Sequence, residues 1–399
     1  MATAATPAQR GRAQGPDGHG LEELTTDLPG FWEDPYRYFR QLQLHDPVHW
    51  SCALKSWIIT SYEHVDQALR DPRFARVLEQ CGPFSIPAAH RRLRGTLNQE
   101  FTSRALRRLR PRIEALVGEL LDPILRRGRT ELIGDFASPL PLTVIGELLG
   151  VPAKDRARFQ SYANDLLLSI GPDVTDPEAI TRGKVFVREM TSYFAELIAA
   201  RRRAPGDDLM TRLIAAQRAG ARITDEDAIG TGMMLLFAGF ETTRHQIGTA
   251  IYALLRHPRE LDRLKSNPRL IGTAVEEFLR YEGAAQAAAR TAEADIEIGG
   301  KTIRRGDSVW LLMGAANRDP ARFTDPDRLD ITRAEGAHLG FGYGAHFCLG
   351  ASLARLELRI SINALLERLP GLRLTDEPPV WQKTLPVRGL VRLPLAFDA

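Results

Sequence analysis

A mainly α-helical single domain with small peripheral β-sheets is the fold class predicted by this 399-residue sequence. Three observations point to it. The segment opening at Thr224 runs without proline to about Arg256 and is apolar on most sides between Ile229 and Phe240. As a helix it would be about 48 Å long, so it has to cross the core. Strand signals are few and short, and no composition break or internal repeat divides the chain after residue 20.

The elements follow in order. Residues 1–20, rich in Ala, Gly, Pro and Gln and without an apolar stretch, read as a disordered tail ahead of one domain spanning 21–399. The tail's arginines and late first acid, Asp17, leave an organelle-targeting alternative. Val48 to Thr60 carries the first strand signal. Leu142 to Leu149 reads as a short helix stopped by Gly150 and Pro152. Asp155 to Leu168, Pro177 to Arg203 and Asp207 to Ala219 follow as amphipathic or mixed helices. The long helix has Thr224 as N-cap and Asp225, Glu226 and Asp227 in its first turn, where acids suit the helix dipole. Ile296 to Ile303 reads as a hairpin about Gly299-Gly300, and Val391 to Ala396 as a last strand.

Composition narrows the function classes. With 44% hydrophobic and 26% charged residues the chain has material for a large core. Three cysteines, Cys52, Cys81 and Cys348, are too few and odd in number for a disulfide framework, and point to a reducing, cytoplasmic setting. The longest apolar run, Met233 to Gly239, is about a third of a membrane span, so no membrane partner is expected. Net charge is +3, yet Arg91 to Arg129 holds eleven arginines against four acids. Such a patch steers an acidic partner. It lacks the interleaved aromatic residues of a nucleic-acid surface, so no nucleic-acid partner is expected.

The chemistry concentrates in Phe341-Gly342-Tyr343-Gly344-Ala345-His346-Phe347-Cys348-Leu349-Gly350, just before the helical pattern Ala351 to Leu358. Glycines let backbone approach a large flat ligand closely. A helix N-terminus favours thiolate over thiol. A single thiolate on a large cofactor suggests haem iron. This loop resembles the haem-thiolate loop of cytochromes P450, and the likeness extends from about residue 25 to the end. It implies the cytochrome P450 fold and haem b (iron protoporphyrin IX). Cys348 would be the iron ligand, with Phe341, Gly342 and Gly350 shaping its loop. His90, Arg94, Arg290 and His346 would serve the haem propionates.

Two further segments carry the resemblance. Ala238-Gly239-Phe240-Glu241-Thr242-Thr243 sets an acid and a β-branched hydroxyl in mid-helix, a locally unfavourable choice typical of functional sites. It matches the family's oxygen-activation segment, where Thr242 would steady oxygen and Glu241 would relay protons. Glu277-Phe278-Leu279-Arg280, followed by Asn317 to Asp330, resembles the segments that build a buried three-residue network, here Glu277, Arg280 and Arg328.

The resemblance implies a soluble bacterial class-I monooxygenase, with O2 as co-substrate and electrons from a separate ferredoxin and ferredoxin reductase. The ferredoxin would dock near Arg104, Arg107, Arg108 and Arg359. Met234, Ala238, Ala287 and Ala288 would line the substrate pocket, with the stretches 76–89 and 166–176. These apolar, modest side chains suggest a hydrophobic secondary metabolite such as a polyketide or terpenoid. Phe240 brings a bulky ring to the oxygen segment. The alternatives are a peroxide-driven or non-hydroxylating haem-thiolate enzyme, or a binding module of the same fold. The Glu241–Thr242 pair speaks against the first, and the retained Cys348 and acid–alcohol pair against the second.

Overall fold

The computed structural model describes residues 26, 28–76, 93–95, 97–156, 158–159 and 177–398. The tail 1–20, His90 and the pocket stretches 77–89 and 166–176 lie outside these residues. The principal helices are α1 (Tyr36–His45), α2 (Tyr62–Arg70), α3 (Ser103–Leu125), α4 (Pro139–Leu149), α5 (Pro177–Arg203), α6 (Leu209–Arg218), α7 (Asp225–Arg256), α8 (Pro258–Ser266), α9 (Ile271–Tyr281) and α10 (Ala351–Arg368).

The long helix α7 starts and runs as its sequence predicts. The Thr224 hydroxyl accepts from Asp227 N at 3.1 Å, and the Asp227 carboxylate accepts from Thr224 N at 2.9 Å. This reciprocal cap satisfies two donors that the first turn otherwise leaves unpaired. Met233, Leu236, Ile247, Ile251 and Leu254 are buried, each worth roughly 1.5–3 kcal/mol of burial. Gly239, which weakens the helix locally, has a packing reason. A Cβ there would stand 3.1 Å from Ile145 of α4. α4 itself ends at Gly150 in the left-handed conformation, φ 77°.

The strand signals resolve into more sheet than expected. Val48 to Thr60 is a hairpin of β1 (Val48–Ser51) and β2 (Ser56–Ile59). With β3 (Phe74–Arg76), β5 (Ala287–Ala292) and β8 (Ser308–Leu312) it forms a sheet in the order β1-β2-β8-β5-β3, in which only β2 and β8 are parallel. β4 (Arg129–Glu131), β9 (Arg373–Leu374) and β12 (Pro394–Ala396) form a second sheet, and β10 (Val380–Trp381) pairs with β11 (Leu390–Arg392). β6 (Ile296–Ile298) and β7 (Lys301–Ile303) are the expected hairpin, with Gly299 and Gly300 both at positive φ. The predicted last strand is broken at Leu393, whose N–H donates to Glu131 Oε1 at 2.8 Å.

The buried network differs from the expected one in its third member. Glu277 and Arg280 pair through two hydrogen bonds, 2.7 and 2.8 Å. The second cation is Arg333, whose Nε lies 3.2 Å from Glu277 Oε2. The Arg328 side chain is 65% exposed and pairs with Asp330, whereas that of Arg333 is 7% exposed. The turn at Asp325, φ 43°, sets the direction of this segment. It aims the Arg328 carbonyl inward, where it accepts from Arg280 and Arg333, and leaves its guanidinium outside. Arg280 Nη1 also donates to the carbonyls of Asn317 and Pro326, at 2.8 and 2.9 Å. The cluster thus fastens α9 to the irregular chain leading to the Cys348 loop, fully bonded as a buried charge has to be.

Candidate functional site

The loop before α10 is closed by one hydrogen bond, Cys348 N to Phe341 O at 2.9 Å. Gly342 and Gly344 stand at φ 67° and 69°, a region side chains rarely adopt. Burial pushes the Cys348 thiol up, and the Gly350 N–H and the charges of Arg355 and Arg94 offset only part of that rise. Arg94 donates to the carbonyls of Ala345 and Phe347, so it clasps the loop itself. Arg355 is paired through both nitrogens with Glu276, at 2.7 Å each, and its guanidinium lies 4.5 Å from the Phe341 ring centroid. His338 adds a contact of 3.2 Å to Glu276, whose pKa is lowered to about 2: burial raises it, and the bonds from Arg355 and His338 more than offset that.

Residue-level reading missed Arg355 and Glu276. A lone charge between Ala354 and Leu356, seven residues after the cysteine, was the available signal.

On α7 the residues Met234, Ala238 and Thr242 follow at intervals of four, so they share one face. That face is incompletely packed: Met234 and Thr242 are half-buried and Ala238 is exposed, although the helix crosses the core. The Thr242 hydroxyl donates to Ala238 O at 2.8 Å. Glu241 points elsewhere and is completely buried beside Arg244 and His245. Phe240 is buried against Leu142, Phe186 and Met190, so it packs between α4 and α5 and leaves the Thr242 face unobstructed.

Strand β5 corrects one pocket residue. Neighbouring residues of a strand point to opposite faces. Ala287 packs into the buried cluster of Phe31, Ile58 and Leu312, while Ala288 is half-buried and lies against the cluster of Ile59 and Leu311. Of the two, Ala288 is the less buried, and two residues on it shares its face with buried Arg290.

The basic patch is only partly free. Arg110 pairs with Glu114, and Arg112 with Glu119 and Glu147. Arg104, Arg107 and Arg108 are exposed on α3, as is Arg359 on α10, the helix packed against it. Among the described residues none of these four makes an ion pair. No helix among the described residues is long and apolar enough to cross a membrane.

The donor set fits a haem: a single thiol beside an N–H at a helix start, with Arg94 and His346 in or on its loop and Arg290 on β5. Comparison with known proteins agrees. The family profile for Cytochrome P450 matches residues 53–395. The chain is 40% identical over 387 residues to the biotin biosynthesis cytochrome P450 of Bacillus subtilis, covering 92% of this chain and 97% of the relative. It is 34% identical over 398 residues to the polyketide biosynthesis cytochrome P450 PksS of the same organism, covering 92% and 97%. The crystal structure of P450BioI in complex with acyl carrier protein ligated to hexadec-9Z-enoic acid superposes with a TM-score of 0.87 at 40% identity, covering 92% of this chain and all of that one.

Proposed function

Because this chain belongs to the cytochrome P450 family, we propose that it is a haem b monooxygenase of the class-I type, inserting one oxygen atom from O2 into a hydrophobic secondary metabolite. The family's haem-thiolate chemistry and use of O2 are the premise. The observation that carries the reading is the placement of buried Cys348 just before α10, in a loop closed on Phe341 O and clasped by Arg94.

When bound, the haem supplies the iron at which O2 is activated. The chain's own residues do the rest. Cys348 would supply the sulfur that holds the iron, and Arg94 stiffens its loop. Arg290 and His346 are the cationic and hydrogen-bonding groups for the propionates. Thr242, tied to Ala238 O, holds its hydroxyl on the open face of α7. Glu241, the residue before Thr242 on the same helix, is the acid that would hold and relay protons. Met234, Ala238 and Ala288 present apolar surface that excludes stray water, which would otherwise leak protons.

The substrate class rests on that small, apolar lining and on relatives whose names refer to polyketide and biotin biosynthesis. A polyketide, a terpenoid or a long acyl chain fits such a lining. Electrons would come from a ferredoxin and its reductase, the acidic ferredoxin meeting Arg104, Arg107, Arg108 and Arg359. In this reading the enzyme works in the cytoplasm, a reducing setting that suits its three cysteines.

The test is spectroscopic. The reduced, CO-treated protein should show the thiolate–CO band, and Cys348→Ser should lose it. Titration with polyketide, terpenoid and fatty-acid panels should shift the iron spin state with members of one class. A Cys348→Ser protein that keeps the band would end the assignment.

A further inference from the structure

The acid of the long helix is held from one side. Glu241 Oε2 accepts from Arg244 Nε at 3.1 Å and Nη2 at 2.9 Å. His245 Nε2 lies 3.3 Å from the same oxygen. The other oxygen, Oε1, is buried and has no hydrogen-bond partner among the described residues. Spacing of three and four residues places these side chains on one helix face. Arg244 is itself buried, its guanidinium 5.3 Å from the Phe240 ring centroid.

A buried carboxylate stays ionised only with a partner. Burial pushes Glu241 up, and the His245 hydrogen bond and Arg244 charge outweigh it, leaving its pKa below the ordinary range. His245 is held neutral by burial and by Arg244. Arg244 is therefore the cation of this pair.

The elements packed around this face add no competing charge at Glu241. α4 brings Ile145 against Gly239, the turn 133–137 brings Ile133 against Gly248, and α5 brings Phe194 against Gly232. Gly389, next to β11, lies against the His245 ring. The nearby carboxylates are engaged elsewhere: Glu131 with the N–H groups of Ile133 and Gly134, Asp135 with Arg127 and Thr130, Glu147 with Arg112 and Arg156. On α9, Glu277 pairs with Arg280 and Arg333, and Glu282 beyond its end with Arg318 and Arg388. On α10, Glu357 is buried and neutral at pH 7.

We propose that Arg244 is the positioning residue of the proton path: by clamping Oε2 it keeps Glu241 ionised and leaves Oε1 as the oxygen that takes up and passes on each proton. The inference rests on Glu241 serving as the acid of that path. Each passage adds one proton to Oε1 and removes it again, so the carboxylate returns unchanged. A cation that only stabilised the helix would not need to leave one oxygen unbonded.

The experiment is infrared pH-difference spectroscopy on the haem-loaded protein between about pH 5.5 and 8, which spans the range of a raised carboxyl. Wild type and Arg244→Lys should show no protonated-carboxyl band from Glu241. Arg244→Leu should show one that titrates in this window and is missing from the Arg244→Leu/Glu241→Gln double variant. In parallel, electrons supplied by NADPH through a surrogate ferredoxin and reductase, with tetradecanoic acid as probe, are divided into peroxide and water. Glu241→Gln and Arg244→Leu should each raise the peroxide-to-water ratio about tenfold or more, the scale of a lost proton-transfer group. Arg244→Lys should restore it. If Arg244→Leu fails to hold haem, Arg244→Gln carries the same comparison, since it removes the charge while keeping a donor. An Arg244→Leu protein without the titrating band overturns the inference even where Glu241→Gln raises peroxide. A Glu241→Gln protein with wild-type peroxide overturns the proton-path reading itself, and the inference with it.

Discussion

Arg333 reaches Glu277 from 56 residues away, with Nε 3.2 Å from the Oε2 that Arg280 also holds at 2.7 Å. One carboxylate therefore serves two guanidiniums and the Asp330 N–H. Its carbonyl-rich surroundings absorb the remaining donors. This junction ties α9 to the chain that presents Cys348, so the integrity of the thiolate loop depends on a pairing remote from it.

Removing Arg333 should therefore cost far more than removing Arg328. Arg333→Ala leaves Glu277 under-compensated in a dry site, a loss of about 3–5 kcal/mol. Arg328→Ala, at an exposed side chain, should leave the unfolding midpoint unchanged. Urea unfolding of the haem-loaded proteins, with haem content measured alongside, decides this. Equal losses in both variants would return Arg328 to the network.

The proton-handling face gives a second expectation. Thr242→Ala should keep the thiolate–CO band while diverting electrons from product to peroxide. The hydroxyl is tied only to Ala238 O, so the helix survives its loss. Peroxide recovered per NADPH consumed is the measurement, and an unchanged yield would remove Thr242 from the mechanism.

Stability should fall as pH rises toward 8 because of Glu357. Burial raises its carboxyl from 4.5 to about 8, and its Oε2 has no partner among the described residues. In the folded state it keeps its proton between these values, whereas the unfolded chain has released it. The folded state then binds more protons, so stability is greatest below about 4.5 and declines up to about 8. The change is on the order of a few kcal/mol. Glu357→Gln should flatten this part of the profile, measured by urea unfolding at several pH values. A variant profile parallel to wild type would show that Glu357 titrates normally.

Charge reversal on α3 should slow electron delivery. Arg107→Glu with Arg108→Glu removes exposed cations from the face shared with α10, and guided association depends on such charge. Reduction rates with an acidic ferredoxin should drop and lose their steep dependence on salt. Identical rates and salt slopes in wild type and variant would place the docking surface elsewhere.

Much of the fold and site was readable along the chain wherever the signal was local. The Thr224 cap, the hairpin at Gly299-Gly300 and the stop at Gly150 each depend on a few neighbouring residues, and each stands where expected. The five-stranded sheet was not readable, because β3, β5 and β8 are short and the β3–β5 and β2–β8 pairings each join residues more than 200 apart. The pocket face of β5 failed for a related reason. A run of alanines from Ala287 to Ala289 carries no apolar–polar alternation to mark which side is open.

The sequence by itself marked out the candidate ligand loop, the Glu241–Thr242 pair and the long helix that carries it. These are patterns over four to ten residues, set by backbone geometry and helix spacing. Only the tertiary structure decided that Arg333 joins Glu277, that Ala287 turns into the core, and that Glu241 is buried under Arg244. Whether a charge is buried, and which partner meets it there, depends on elements brought together from distant parts of the chain. Local spacing made an Arg244–Glu241 contact available, and burial of both side chains is what gives a charged acid there need of that partner.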